Sequence, residues 1–206
     1  MTASRTAALA LALLGCAAAL ATHLGALHAS GLDPVSSPIG ALARSAEATS
    51  FRYGLWAFAL GHLALALLLN GPAVGRFTRA AQLFLALDAA LIAWLPLSLA
   101  AASAAASASA AAAAAPQSAS TAGPLWLLAG AAGFTLTFVA VSLWRRHRTA
   151  SLWTLVCLLL WTGLAPVFLV VDPDWIGAYQ RFVGAVLVAW TGVLAVMIGF
   201  REHAEG

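Results

Sequence analysis

Four ionisable side chains are the residues of this chain best suited to chemistry: His28, Asp33, His62 and Asp88. They stand out because 63% of the sequence is hydrophobic and only 8% is charged. Imidazole and carboxylate groups can hold metals, move protons or hydrogen-bond a ligand. The sequence therefore predicts these four as the ligand-binding candidates, and it offers no complete catalytic motif around any of them.

His62 and Asp88 are the stronger candidates of the four, because each lies near the middle of a long apolar run. A polar group placed there is costly, so it marks either a bond between helices or a functional site. The two runs are joined by a short turn at 70–79 and should be antiparallel neighbours. We expect a structural hydrogen bond between the two side chains, in preference to catalysis, transport or cofactor ligation.

Three functional alternatives stay open for these residues. A b-type haem needs two facing axial histidines, which His62 could form with His23 or His28. A zinc site needs three protein ligands, for which His62, Asp88 and His28 are available. A proton relay would use His62 and Asp88 alone. We expect no resident cofactor, with haem b and zinc as the alternatives.

The composition indicates that membrane-spanning helices position these residues. A water-soluble surface normally needs about a quarter of its residues charged, so this chain belongs in a membrane. An α-helix spans the hydrocarbon core with about 20 apolar residues, and six runs qualify. The first begins after Arg5 like a signal peptide, but it continues past Cys16, so we expect an uncleaved span. The sequence predicts an all-α transmembrane bundle in a single domain, residues 1–206, with six spans at about 6–29, 53–69, 80–100, 123–144, 151–171 and 182–200.

Arginine placement predicts how the bundle is oriented. Cytoplasmic loops are enriched in basic residues, and seven of the ten arginines fall on one side of the six runs. Both termini should therefore be cytoplasmic, with residues 28–52 outside. All ten basic residues are arginine and alanine is abundant, which is typical of a GC-rich bacterial genome. We expect a multi-pass protein of the bacterial inner membrane.

Two segments outside the spans have recognisable chemistry. Ser37 followed by Pro38 is typical of an N-cap and a first helical residue, and apolar residues then recur at helical spacing. This pattern predicts a short extracytoplasmic interfacial helix between helices 1 and 2, with covering the bundle favoured over binding a substrate. The Ala/Ser-rich segment 100–122 either extends the third helix or forms a disordered loop.

Small residues recur on the fourth and sixth predicted helices. They are Gly130 and Gly133 on the fourth, and Gly184, Gly192 and Gly199 on the sixth. Small side chains let helix backbones approach closely in a membrane. We therefore expect ordinary intramolecular packing through these glycines.

Three stretches resemble a known family. They are Asp33-Pro34-Val35-Ser36, the Ala/Leu-rich run from Trp56 to Leu69, and Tyr179-Gln180-Arg181 at the start of the last span. Together they resemble the bacterial six-helix membrane proteins of domain-of-unknown-function family nine-nine-eight. The resemblance implies a six-helix bundle and says little about activity.

Two functional expectations follow. The first is a non-catalytic accessory or scaffold subunit that contacts membrane lipids and partner proteins of a larger membrane complex. The second is a ligand or cofactor site for haem b, zinc or lipid in the outer half of the bundle. Nucleic acid is not an expected partner, because no basic patch interleaved with aromatic residues occurs.

Overall fold

The computed structural model of the chain describes residues 3–70, 75–110, 119–164, 166–167 and 170–201, with side chains described as far as residue 95 and again from residue 127 to residue 200. These residues are almost entirely helical and contain no strand. The elements are α1 (Ala3–Ser30), α2 (Ile39–Leu42), α3 (Ala48–Leu68), α4 (Arg76–Ala110), α5 (Ala119–Leu143), α6 (Arg148–Leu164), a 3-10 turn (Pro173–Trp175) and α7 (Ile176–Arg201).

Four of the described helices are long and apolar enough to cross a membrane: α1, α3, the Arg76–Leu95 part of α4, and the segment Pro173–Phe200. Two shorter apolar helices, Leu127–Leu143 and Arg148–Leu164, accompany them. Large apolar side chains cover much of the outer surface, with Leu83 and Leu159 more than two thirds exposed. Such a surface is unfavourable in water and suits contact with hydrocarbon chains.

Several helix bounds differ from those predicted by hydropathy. α4 continues to Ala110, into the Ala/Ser-rich segment, because alanine is the strongest helix former. Residues 111–118 of that segment lie outside the described part. α6 ends at Leu164, seven residues before the predicted end at 171, and Pro166 follows closely. Proline cannot continue the hydrogen-bond ladder of a helix, which accounts for the early end.

The six long helices form a closed ring. Each packs against the next in sequence, α7 packs against α1, and α3 also contacts α7 across the interior. Neighbours alternate in direction, so α1, α3 and α7 place their Ser30, Ala48 and Ile176 ends together. We call this end of the ring the lid end. The opposite end, which we call the far end, is where Arg5 donates to Asn70 O at 2.7 Å.

The backbones of α1 and α3 approach each other closely. A Cβ at Gly15 would lie 2.5 Å from Ala57 O, and one at Gly61 would lie 3.2 Å from Ala12 O. Two facing glycines therefore bring the backbones together. The five glycines predicted to allow close packing differ in their surroundings. A Cβ added to Gly130 or Gly184 would have no atom within 4 Å, and one added to Gly133 or Gly192 would make an ordinary contact. Only at Gly199, among these five, would it be tight, against Leu9.

The segment 33–43, which we call the lid segment, crosses the lid end of the ring. It contains a turn at Asp33 and then α2, whose Leu42 is fully buried. The predicted Ser37 cap is wrong, because Pro38 occupies the cap position and no side chain of the segment caps the helix. Instead the Ile39 N–H donates to Gln180 Oε1 on α7 at 2.7 Å. The lid segment is therefore fastened by tertiary contacts.

Candidate functional site

A cavity of about 410 Å³ occupies the interior of the ring in the half nearest the lid end. Every long helix contributes to its wall, and Ile39 of the lid segment lies at its roof. The lining is almost wholly apolar, and its larger side chains are Leu20, Leu24, Phe51, Leu55, Phe58, Ile92, Leu95, Leu128, Trp161, Leu187 and Val188. Its volume lies within the range of small-molecule pockets, about 300–1,000 Å³.

The polar side chains of the cavity gather at the lid end. Tyr179, Gln180 and Arg181 occupy consecutive positions in the first turns of α7, and His23 faces the cavity from α1. Two of these groups are engaged by the protein itself. The Tyr179 hydroxyl donates to Leu164 O, and Gln180 holds the amide of Ile39.

Arg181 joins the cavity wall to the lid segment. Its Nη1 donates to Pro34 O and to Ser37 O, both at 2.8 Å. Its Nε and Nη2 are buried and make no hydrogen bond to any described residue. The Nε2 atom of His23 is likewise buried without a partner, while its ring lies 6.0 Å from that of Phe51. Two polar groups of the cavity therefore hold unused hydrogen-bonding capacity.

Gly177 makes this arrangement of the lid segment possible. A Cβ there would overlap Ser37 O and lie 2.7 Å from Val35 O. The absence of a side chain lets the Ala178 N–H donate to Val35 O at 2.8 Å. The start of α7 thus forms hydrogen bonds along the lid segment from Pro34 to Ile39.

Asp33, one of the four predicted site residues, closes its own turn. Its carboxylate accepts from the Val35 and Ser36 amides at 3.1 Å each and from the Ser36 hydroxyl. The Ser36 hydroxyl bond, followed by the two amide bonds, lowers the pKa of Asp33 below its ordinary value. Arg181 adds a smaller attraction at longer range. The side chain is fully exposed and does not line the cavity, so its position favours the turn chemistry expected of Asp-Pro.

The other three predicted residues also lie outside the cavity lining. His28 is exposed near the end of α1. His62 is only 1% exposed and lies one turn beyond the cavity residue Phe58, with their ring centroids 4.5 Å apart. Asp88 is only 2% exposed and lies beside Thr135 of α5.

The hydrogen bond expected between His62 and Asp88 is not formed. His62 Nδ1 lies 3.3 Å from Phe58 O, and its ring faces Trp190 of α7. Asp88 Oδ1 and Thr135 Oγ1 each lack a hydrogen bond of ordinary length, although the Thr135 hydroxyl is near enough to interact with the Asp88 carboxylate. His62 of α3 faces α7, whereas Asp88 of α4 faces α5. The two side chains therefore point to different neighbours.

The geometry lends no support to the haem or zinc alternatives. The ring contacts of His62 described by the structure are with Phe58 and Trp190, and none of them is with His23 or His28. Within the described ranges no group of three or more His, Cys, Asp or Glu side chains is gathered to hold a metal ion. Both cofactors remain untested as predictions.

Sequence reasoning missed Arg181 as a site residue, although a signal for it was present. Arg181 belongs to one of the stretches that carry the family resemblance, and Asp33 to Ser36 to another. The structure brings these two stretches together, through Arg181 and through the bond from Ala178 to Val35. Their separation along the chain, 147 residues from Pro34 to Arg181, hides the relationship from any local pattern.

Comparisons with known proteins add no relative: no family model matches the chain, and neither a curated protein nor a solved structure matches it. The resemblance to family nine-nine-eight is therefore neither supported nor contradicted, and it stays a prediction.

Proposed function

We propose that the protein binds one lipid-like molecule, with the hydrocarbon chain of the ligand in the cavity at the lid end. This is the lipid version of the expected ligand site in the outer half of the bundle. The observation that carries it is the cavity itself, whose apolar wall ends in a small group of polar side chains. A wall of this kind matches a molecule with an apolar body and a polar head.

The proposal includes the membrane arrangement expected from the sequence. The six long helices cross the bacterial inner membrane with both termini in the cytoplasm. The lid end then lies at the outer surface, where α2 is an interfacial helix. In this orientation the polar end of the cavity is level with lipid head groups, and the apolar part lies deeper.

Access from the side favours a membrane ligand over one dissolved in water. Leu20 and Leu24 line the cavity, yet they are 45% and 61% exposed on the outer surface of α1. Gly184 and Ala185 form the facing edge on α7, where Ala185 is exposed and Gly184 has open space around it. A chain could enter between α1 and α7 from the surrounding lipid without passing the lid segment.

The accessory or scaffold role remains the second candidate. Exposed apolar side chains on the outer surface would serve contact with a partner as well as contact with lipid. Copurification tests this role, because a protein that runs alone in mild detergent would count heavily against a stable partner.

A pair of glycine substitutions tests lipid binding. Gly184→Phe places a ring in the open space beside the cavity, and we expect it to reduce lipid occupancy strongly. Gly130→Phe makes the same change at an exposed glycine that has equally open surroundings but does not line the cavity. Native mass spectrometry of protein released from lipid nanodiscs would count bound lipids in the wild type and both variants.

We expect one retained lipid in the wild type and in Gly130→Phe, and loss of it in Gly184→Phe. A wild-type protein that emerges without any lipid contradicts the proposal. Equal retention by all three proteins contradicts it too, since the retained lipid would then lie outside the cavity.

A further inference from the structure

We infer that the molecule bound in the cavity carries an anionic head group, a phosphate or a carboxylate, and that Arg181 is the residue that binds it. This inference rests on the proposed function, because it assigns the head of the molecule whose chain fills the cavity. It concerns the lid end of the cavity, where Arg181 and His23 lie.

The hydrogen-bond inventory of Arg181 is the first support. A guanidinium group has five N–H donors in a planar fork. Nη1 serves the carbonyl oxygens of Pro34 and Ser37, whereas Nε and Nη2 are buried without an acceptor. Buried donors and charges are costly when they are left unpaired. The unused Nε and Nη2 edge is the edge that pairs with two oxygens of a phosphate or carboxylate.

Charge at the cavity is the second support. No Asp or Glu is among the described residues that line the cavity, so Arg181 is its one formal charge there. Asp33 is the acidic residue that attracts Arg181, but its hydrogen bonds go to Val35 and Ser36 of its own turn. Among the described residues no carboxylate therefore hydrogen-bonds Arg181, and an incoming anion would fill that place.

His23 extends the same polar end on the neighbouring helix α1. Its buried Nε2 has no partner, and in the Nε2–H tautomer it donates a hydrogen bond. A head group between α1 and α7 would meet Arg181 from one side and His23 from the other. Phe51 and Phe58 then surround the chain that leads away from it.

A series of dodecyl amphiphiles tests the head group. The wild-type protein in phosphatidylcholine nanodiscs is titrated with dodecyl phosphate, dodecyl maltoside or dodecyltrimethylammonium, and occupancy is read by native mass spectrometry. We expect dodecyl phosphate to bind at least about tenfold more tightly than the other two, since hydrogen bonds between charged groups are stronger than those to neutral groups. Inorganic phosphate alone is included to separate a lipid head group from a free anion.

Arg181→Gln is the variant that should abolish this preference. It should lower dodecyl phosphate affinity about tenfold or more and leave dodecyl maltoside affinity within about twofold. Arg52→Gln is the matched control, because Arg52 is also near the lid end and also has a buried Nε without a partner, but it does not line the cavity. We expect Arg52→Gln to keep the wild-type preference.

The outcomes separate the two proposals. If the three amphiphiles bind with equal affinity, the anionic head is refuted while binding of the chain stands; if none binds, both proposals fail. Saturable binding of inorganic phosphate that matches dodecyl phosphate would overturn the lipid head group in favour of a free anion. If Arg181→Gln folds and keeps the wild-type preference, Arg181 does not bind the head group. If Arg181→Gln fails to fold, Arg181→Lys replaces it; we expect a weakened preference, because lysine lacks the bidentate fork, and an undiminished preference would sink the assignment.

Discussion

The two halves of the bundle treat buried polar groups differently. In the far half, Trp190 Nε1 donates to Thr154 Oγ1 at 3.2 Å, and the Ser151 hydroxyl donates to Ala140 O at 2.7 Å. In the lid half, Arg181 and His23 keep buried nitrogens without partners beside a cavity. Buried polar groups in proteins are normally hydrogen-bonded. Groups that remain unpaired next to empty space therefore indicate where a ligand would bind.

Packing differs in the same way. The far half is filled by fully buried side chains such as Leu65, Leu85 and Leu194, and α1 touches α3 through Gly15 and Gly61. The lid half contains the cavity instead, although the same helices enclose it. The interior of the far half is closely packed, although an open cleft lined by Phe77 and Trp144 lies at its end, whereas the interior of the lid half encloses the cavity.

Asp88, Thr135 and Trp153 are exceptions to this division. Trp153 Nε1 is buried without a hydrogen-bond partner, and Asp88 and Thr135 face each other without a hydrogen bond of ordinary length, yet none of the three residues lines the cavity. Substitutions in each half, beginning with the contact of Gly15 and Gly61, test this difference between the halves.

The largest effect is expected from Gly15→Ala. The new Cβ would lie 2.5 Å from the backbone oxygen of Ala57, so α1 and α3 must separate. We expect a loss of about 3 kcal/mol, at the upper end for overpacked cores. Gly25→Ala on the same helix has nothing within 4 Å and should be neutral or gain up to about 1 kcal/mol. Thermal unfolding in detergent measures both, and equal melting temperatures would remove the distinction between the halves.

Asp88 should show an intermediate effect. Asp88→Asn keeps a polar group beside Thr135, whereas Asp88→Leu leaves the Thr135 hydroxyl among apolar side chains. We expect the Leu variant to be less stable than the Asn variant by about 1–3 kcal/mol, the cost of a buried unsatisfied polar group. Denaturant titration in detergent would decide, and two variants of equal stability would show that Asp88 has no polar role in the packed half.

The smallest effect should come from Asp33. Because hydrogen bonds lower its pKa in the folded protein, its contribution is fully present above the ordinary aspartate pKa of about 3.9 and is lost as the pH falls through the folded value. Asp33→Asn should loosen the lid segment already at neutral pH. Hydrogen exchange at Val35 and Ser36 would report this, and the control is Asp172→Asn, whose carboxylate accepts from the Asp174 amide in a similar turn just before α7. Unchanged exchange at Val35 in Asp33→Asn would show that the carboxylate does not hold the turn.

The candidate site was only partly predictable from the sequence. His62 and Asp88 could be singled out because a polar residue in an apolar run is visible without any structure. Their predicted contact was wrong, since the sequence does not say which way each side chain faces around its helix. Arg181 drew less attention because it begins a span, where an arginine is ordinary.

Sequence by itself determined that the chain is helical, apolar and suited to a membrane, because composition and the length of apolar runs act locally. It also placed a short helix between α1 and α3. Only the tertiary structure decided that α7 fastens this helix through Gln180 and Arg181, that Gly15 rather than Gly184 brings helices together, and that a cavity remains at the lid end. These features depend on which faces of distant helices meet, and that is settled by the packing of the whole ring.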